Sequence, residues 1–344
     1  MAITMQVPVI FTTDKCTTPQ ELQLIREMGI DNVDLNFGLE FCNETDLTRI
    51  LTHLKHYGLT AGNLSCMPLQ KNKSIILGCE DRDEQIDLFN NLVRLAAKVN
   101  VPLVSVAWQP NGILRSGRVV CDCSYGAVTG YADMAEIDGR DNANDRAYDA
   151  DEIWDNFKYF LDKVMPVCKE NNVRLALHPN DPPVPILAGV ASLIYNVECY
   201  RKAFALDDTG LLTMKMCVGC WLEGGDAFGD LMSDIEEFVS RKRVSVVHFR
   251  NVSGTMPVFY ETLAEDGYAN MYDIMKQFVK CGYDGVMSVD HVFSPARGNE
   301  NETLQYVVVA LNQDENDNPT MRYAYPTGYA KGLLHAAERE LGKR

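Results

Sequence analysis

The 344-residue sequence predicts a single (β/α)8 barrel, or TIM barrel, and three observations support this fold class. Eight short apolar segments alternate with amphipathic helical segments. The apolar segments are nearly continuous and rich in β-branched residues, which is typical of parallel strands buried on both faces. Strand–helix alternation predicts a parallel sheet, and closure into a barrel leaves no free sheet edge.

Each element can be placed from its hydrophobic pattern. The strands are predicted at 7–11, 32–36, 59–65, 101–107, 173–178, 211–217, 244–249 and 285–290. The helices are predicted at 18–29, 46–57, 84–98, 151–170, 188–204, 227–240, 269–280 and 328–341. The clearest helix is 151–170, where Ile153, Phe157, Phe160 and Val164 form one apolar stripe.

Two connections are unusually long for a barrel that is predicted to span 1–344 as one domain. The segment 108–150 follows the fourth strand and 291–320 follows the eighth, and both are polar and rich in Gly, Asn and Asp. Loops that follow barrel strands gather at the catalytic face, and loops of this length are usually functional. We therefore expect both to be lid-like insertions.

The composition excludes several classes of partner. The chain has 32 basic and 48 acidic residues, a net charge of −16, which disfavours binding to nucleic acid or to an anionic membrane. It contains no apolar run of membrane-spanning length and no basic segment typical of a signal peptide. We expect a cytoplasmic protein that binds a small molecule.

Four potential metal ligands end successive strands. His178 ends the fifth strand, Cys217 the sixth, His248 the seventh and Asp290 the eighth. These ends meet at one mouth of a barrel, and two imidazoles, a thiolate and a carboxylate form a plausible divalent-metal site. Cys217 and Cys220 also form a C-x-x-C pair, but a redox or zinc-ribbon site would need further sequence context.

Polar and aromatic residues in the loops after the strands are candidates for substrate contact. These candidates are Trp108, Arg115, Asn180, Arg250 and Asn251. An Arg in the position of Arg250 can bind a carboxylate through two parallel hydrogen bonds. Asp181 is either an anchor behind the metal ligands or a turn former.

Several segments resemble the mannonate dehydratase family, which has a xylose-isomerase-like barrel. The matching segments are LALHPNDPPVPI (175–186), TMKMCVGC (213–220), VVHFRNV (246–252), LAEDGYANMYDIMKQF (263–278) and GYDGVMSVDHV (282–292). The resemblance covers most of the chain from about 75 to 292 in consistent order. One departure is DLNFG (34–38), which stands where the family has a His near the end of the second strand.

The resemblance implies roles for residues of the site. The family's metal ligands correspond to His178, Cys217, His248 and Asp290, the four residues already chosen from strand ends. It implies that Arg250 contacts substrate, and that His291 acts in acid–base catalysis with a Tyr near the C-terminus. Tyr323, Tyr325 and Tyr329 compete for that role, and we favour Tyr325. The implied ion is Mn²⁺, with Fe²⁺, Co²⁺, Mg²⁺ and Zn²⁺ as alternatives.

The implied function is that of a hydro-lyase. It would convert D-mannonate into 2-keto-3-deoxy-D-gluconate in hexuronate (glucuronate) catabolism, and a homo-oligomer, dimeric or larger, is expected. Two alternatives stay open: a metal-dependent sugar isomerase or epimerase on the same barrel, and a barrel that binds a sugar acid or metal without catalysis. The Cys217 ligand counts against the isomerase, because such sites typically use carboxylates and His.

Overall fold

Eight parallel strands close into a barrel in the order of the chain. The structure is a computed structural model that describes residues 3–121, 127–140, 142, 144–293 and 320–343. The barrel strands are Thr4–Phe11, Asn32–Phe37, Thr60–Cys66, Leu103–Ala107, Arg174–His178, Leu212–Cys217, Val244–His248 and Val286–Ser288. Each pairs with the next, and the eighth pairs with the first. The predicted barrel and its eight strands are therefore confirmed.

Helices surround the barrel between the strands. The longer ones are Pro19–Glu27, Glu44–His56, Arg82–Lys98, Ala150–Asn171, Val197–Ala205, Leu231–Ser240, Met271–Cys281 and Met321–Glu340. Short helices are Met67–Gln70, Lys73–Leu77, Met134–Asp138 and Val218–Gly224, with 3₁₀ turns at Leu39–Phe41 and Gly225–Ala227. Within the described ranges, no helix combines the length and apolar character that a membrane span requires.

Aromatic side chains join neighbouring helices of the layer around the barrel. Phe160 packs edge-on against Phe89 with ring centroids 5.1 Å apart, which links helices Ala150–Asn171 and Arg82–Lys98. Both rings are fully buried or nearly so. Burial of a Phe side chain contributes about 1.5–3 kcal/mol, so this layer contributes substantially to the stability of the barrel.

The predicted loop 108–150 contains regular structure. Gly117–Cys121 and Ala127–Asp133 form an antiparallel pair, and Ala127–Asp133 also pairs with Val258–Thr262 from the connection after the seventh barrel strand. Asn251–Val252 completes this four-stranded sheet. The sequence did not predict these strands. In the second predicted loop, 294–319 lie outside the described residues.

Candidate active site

The four predicted ligands converge at the carboxyl ends of the strands. His178, Cys217 and His248 are the last residues of the fifth, sixth and seventh barrel strands, and Asp290 follows the eighth by two residues. The parallel register sets Cys217 directly beside His248. One potential ligand atom from each of the four lies within 4.8 Å of those of the others.

A cavity of about 230 Å³ opens above this cluster. Its wall includes Asp34, Lys71, His178, Lys215, His248 and Asp290. Cys217 is fully buried beneath it. The cluster therefore combines a buried ligand with ligands that face a space large enough for a small molecule.

The surroundings of His178 and Cys217 favour the protonation states that bind metal. His178 Nδ1 lies 2.7 Å from the carbonyl oxygen of Pro179, which can only accept, so Nδ1 carries the proton and Nε2 is free to bind metal. Burial further lowers the pKa of His178. Burial opposes ionisation of Cys217, but Cys220, Arg250 and the two imidazoles hold the pKa of its thiol well below its ordinary value.

The remaining two ligands form a pair. His248 Nδ1 lies 3.1 Å from Asp290 Oδ2. Burial opposes charge on both, yet their mutual attraction raises the pKa of His248 and holds the pKa of Asp290 well below its ordinary value. Two nitrogens, a thiolate and a carboxylate form a donor set that fits a divalent transition metal.

Two arginines and three carboxylates form a buried cluster beside the ligands. Arg250 Nη2 donates to Asp181 Oδ2 over 2.8 Å, and its Nη1 lies 2.7 Å from Glu223 Oε1. Arg115 lies 2.6 Å from Asp181, 3.2 Å from Glu223 and 2.8 Å from Glu261. Both guanidinium groups are therefore charge-paired with carboxylates, although Nε and Nη1 of Arg250 form no hydrogen bond among the described residues. Arg250 and Arg115 thus both have carboxylate partners within the protein, and their contact with substrate stays a prediction.

The cluster shifts the pKa values of Asp181 and Glu223 in opposite directions. Burial opposes ionisation of Asp181, but Arg115 and Arg250 lower its pKa. Burial and the nearby charge of Asp181 raise the pKa of Glu223 to about 8, despite both arginines. Asp181, Cys220 and Glu223 have ligand atoms as close together as those of the first cluster. Because two guanidinium groups already neutralise these acids, this second group is a poor cation site.

Gly219 permits the close approach of Arg250 to helix Val218–Gly224. A Cβ atom at position 219 would lie 2.3 Å from Cζ of Arg250. Only a residue without a side chain leaves room for the guanidinium here. The glycine of the CVGC segment is therefore explained by packing.

His291 lies against both the ligands and the arginine cluster. Its Nδ1 contacts Glu261 Oε1, and its Nε2 lies 3.5 Å from Asp290 Oδ2. Burial opposes its charged form, but Asp290 and Glu261 raise the pKa of His291 to about 9. Its φ of 53° is uncommon for a residue other than glycine, and such conformations concentrate at functional sites.

Three of the residues that were predicted to contact substrate are not among those that line the cavity. Trp108 is buried against Phe157, with ring centroids 5.0 Å apart. Asn180 donates to the carbonyl of Trp108 over 3.2 Å and accepts from the backbone of Ile194. Asn251 donates to the carbonyls of Ala264 and Ala269 over 2.8 and 2.9 Å. Asn180 and Asn251 hold loops in place, because their amide groups are used for hydrogen bonds to the backbone, whereas Trp108 is held by aromatic packing.

The structure distinguishes among the C-terminal tyrosines. Tyr323 lines the cavity, and burial together with Asp290 and Asp34 raises its pKa. Tyr325, which the sequence favoured, is 56% exposed and its hydroxyl contacts Glu265. Tyr329 is half-buried and is not one of the residues that line this cavity. Rotation of helix Met321–Glu340 thus presents Tyr323 to the site and turns Tyr325 away from it.

Sequence reasoning missed a polar network inside the barrel. Lys215 Nζ lies 3.4 Å from Asp34 Oδ2, and Asp34 accepts from Asn63 and Ser65 over 2.7 and 3.0 Å. Lys215 is only 3% exposed. Its position in the otherwise apolar strand TMKMC was a usable signal, because a lone charge in such a strand needs a buried partner.

The fold and site together define a TIM barrel with a candidate divalent-metal centre. The crystal structure of mannonate dehydratase from Streptococcus suis serotype 2 has a TM-score of 0.78 to this chain, with 21% identity, covering 98% of this chain and 96% of that one. The structure of an L-ribulose 3-epimerase has a TM-score of 0.59 at 13% identity, covering 99% and 97%. At these identities the comparisons establish the fold alone.

Sequence comparisons confirm the predicted resemblance to the mannonate dehydratase family. Residues 140–302 match the family described as D-mannonate dehydratase (UxuA). A mannonate dehydratase of Enterococcus faecalis is 33% identical over 41% of this chain and 39% of its own length. A mannonate dehydratase of Lachnoclostridium phytofermentans is 34% identical over 42% of this chain and 40% of its own length.

The extent of these matches is limited. The chain spans about two fifths of the length of those two relatives. A mannonate dehydratase of Streptococcus pneumoniae aligns over more of both chains, 68% of this one and 70% of its own, at 26% identity. The range that matches the family model, 140–302, includes the four candidate ligands.

Proposed function

We propose that this protein is a metal-dependent hydro-lyase that converts D-mannonate into 2-keto-3-deoxy-D-gluconate. The observation that carries the proposal is the convergence of His178, Cys217, His248 and Asp290 beneath a cavity, with His291 beside them. The mannonate dehydratases that align with this part of the chain support the choice of substrate.

The proposed ion is Mn²⁺, held by the two imidazoles, the Cys217 thiolate and the Asp290 carboxylate. A divalent ion supplies Lewis-acid stabilisation of negative charge that develops next to the substrate carboxylate. The thiolate also suits softer ions such as Fe²⁺, Co²⁺ and Zn²⁺, so zinc should bind as well.

The reaction needs a base at C2 and an acid at the departing 3-hydroxyl. We assign the acid to His291, because its raised pKa keeps the imidazole protonated at neutral pH. Glu261 holds Nδ1 and so fixes the ring. Tyr323 is the second candidate for proton transfer, since its phenol faces the cavity. Arg250 serves as a positioning residue that stabilises the Cys217 thiolate.

The test is turnover of D-mannonate by protein stripped with chelator and restored with Mn²⁺, followed by detection of a 2-keto-3-deoxy acid. Cys217→Ser should abolish turnover and lower the bound metal measured after dialysis. Cys168→Ser is the matched control, because this buried thiol lies in helix Ala150–Asn171, outside the four-ligand set. His291→Ala should lose turnover and keep the metal.

The same assay separates the alternatives. Release of an isomerised or epimerised sugar without loss of water would support the isomerase hypothesis, and ligand binding without any product would support a non-catalytic barrel. Failure to bind metal would overturn the proposal as a whole. A homo-oligomer, a cytoplasmic location and a role in hexuronate catabolism are further parts of the proposal, supported by the resemblance to the family.

A further inference from the structure

We infer that Lys71 supplies a positive charge, in addition to that of the proposed ion, with which the cavity selects a carboxylate-bearing ligand over a neutral polyol. The identity of that ligand, a sugar acid, rests on the proposed function. The inference deepens it by naming a binding residue that neither the strand-end pattern nor the family motifs identified.

A chain with a net charge of −16 needs a local cation to attract an anion. Three of the cations near the ligands are engaged by carboxylates. Arg115 and Arg250 share Asp181 at 2.6 and 2.8 Å, and Lys215 lies 3.4 Å from Asp34. Taking a buried cation away from its partner leaves an unpaired buried charge, which is costly. These three groups therefore already have carboxylate partners, which reduces the positive charge that they offer to a ligand.

Lys71 is in a different position. It follows helix Met67–Gln70, just past the end of the third barrel strand, and lines the same cavity as His178, His248 and Asp290. The side chain is partly buried. Within the part of the chain that the structure describes, its ammonium group forms no hydrogen bond or ion pair. Asp181 and Asp290 favour its charge from a distance, while burial and Lys215 disfavour it.

An incoming carboxylate would satisfy this ammonium group. A hydrogen bond between two charged groups contributes more than a neutral one, and its loss at a partly buried site corresponds to about ten- to hundredfold in affinity. A neutral polyol with the same hydroxyl chain would gain nothing from the charge. The prediction therefore concerns the ratio of the two affinities, which a general change in cavity shape would leave unaltered.

The experiment compares wild type, Lys71→Met and Lys71→Arg, all loaded with Mn²⁺, using D-mannonate and its neutral counterpart D-mannitol. If D-mannonate is turned over, its KM is compared between the variants. If it is not turned over, its Kd is measured by calorimetry. Affinity for D-mannitol is its inhibition constant or Kd in the same assay. Lys73→Met is the matched control, because Lys73 lies two residues away and is exposed.

We expect Lys71→Met to weaken the binding of D-mannonate about ten- to hundredfold and to leave the affinity for D-mannitol unchanged. Lys71→Arg should restore most of the lost affinity for D-mannonate. Lys73→Met should resemble wild type. If Lys71→Met lowers the melting temperature, Lys71→Gln replaces it. Equal weakening of both ligands, or unchanged affinity for D-mannonate, would overturn the inference.

Failure of the inference differs from failure of the proposed function. If wild type prefers D-mannonate to D-mannitol but releases no product, the proposed reaction is wrong and the Lys71 variants still decide the inference. If wild type turns D-mannonate over and Lys71→Met has the same KM, the reaction stands and the inference is wrong. If wild type shows no preference for the anion, the inference is overturned directly.

Discussion

Nη2 of Arg250 donates a hydrogen bond to Oδ2 of Asp181 over 2.8 Å, and both side chains are buried. This contact ties the loop after the fifth barrel strand to the end of the seventh. It also keeps a positive charge next to Cys217, which favours the thiolate. The same ion pair therefore serves both the stability of the barrel and the protonation state of a candidate ligand.

Removing the carboxylate of this pair should be strongly destabilising. We expect Asp181→Ala to lower the free energy of unfolding by about 3 kcal/mol, because Arg115 and Arg250 would both lose a buried partner. Urea denaturation at neutral pH measures the change. Glu44→Ala, at the exposed pair with Lys98, is the control and should cost less than about 1 kcal/mol. Similar losses in the two variants would contradict this account.

Filling the space beneath Arg250 should also destabilise the protein. We expect Gly219→Ala to cost about 1–3 kcal/mol, since its Cβ would overlap the guanidinium group. Gly254→Ala is the comparison, because an added Cβ there meets no atom within 4 Å among the described residues. Thermal denaturation of both variants checks the prediction, which fails if their melting temperatures agree.

The two tyrosines at the start of the C-terminal helix should differ in effect. We expect Tyr323→Phe to lower kcat for D-mannonate by about a hundredfold or more, if its hydroxyl takes part in proton transfer. Tyr325→Phe should leave kcat nearly unchanged, because this side chain is exposed and its hydroxyl contacts Glu265. A larger loss in Tyr325→Phe would restore the assignment that the sequence favoured.

Asp207 should contribute to the loss of stability in acid. Burial opposes its ionisation, but hydrogen bonds from Thr209 and Arg243 hold the pKa of its carboxyl below the ordinary value. A lowered pKa in the folded state stabilises the protein above the unfolded-state pKa of about 4, and this contribution disappears as the pH falls through the folded-state pKa. Asp207→Asn should therefore lose stability at pH 7 and approach wild type at low pH. Urea titrations at a series of pH values test this, and a difference that stays constant with pH would refute it.

Much of the fold follows from local patterns in the sequence. The segment VRLALH is predicted as a buried strand because most of its residues are apolar. The structure has a strand there, at Arg174–His178. The strands Gly117–Cys121 and Ala127–Asp133 were not predicted, since polar residues surround them and their stabilising partner, Val258–Thr262, lies more than 120 residues along the chain. Pairing at such a distance leaves no periodicity within a short window.

The candidate site also has features that the sequence predicts and others that it does not. Positions at the ends of strands could be predicted, because the direction of a parallel strand determines which end its last residue reaches. The partners of Arg250 could not, since Asp181 and Glu223 come from separate segments and meet only in the folded protein. The choice between Tyr323 and Tyr325 depends on the rotation of one helix against the barrel. That rotation is set by tertiary packing, which the spacing of residues alone does not give.

The sheet formed by Ala127–Asp133 and Val258–Thr262 has a mechanical consequence. It joins the connections after the fourth and seventh barrel strands through backbone hydrogen bonds, and it carries Glu261, which holds His291. The two connections are therefore held to each other, and we expect them to move together. Lys71 and Tyr323, which also line the cavity, lie on segments outside this sheet, so the sheet leaves that part of the cavity wall unconstrained.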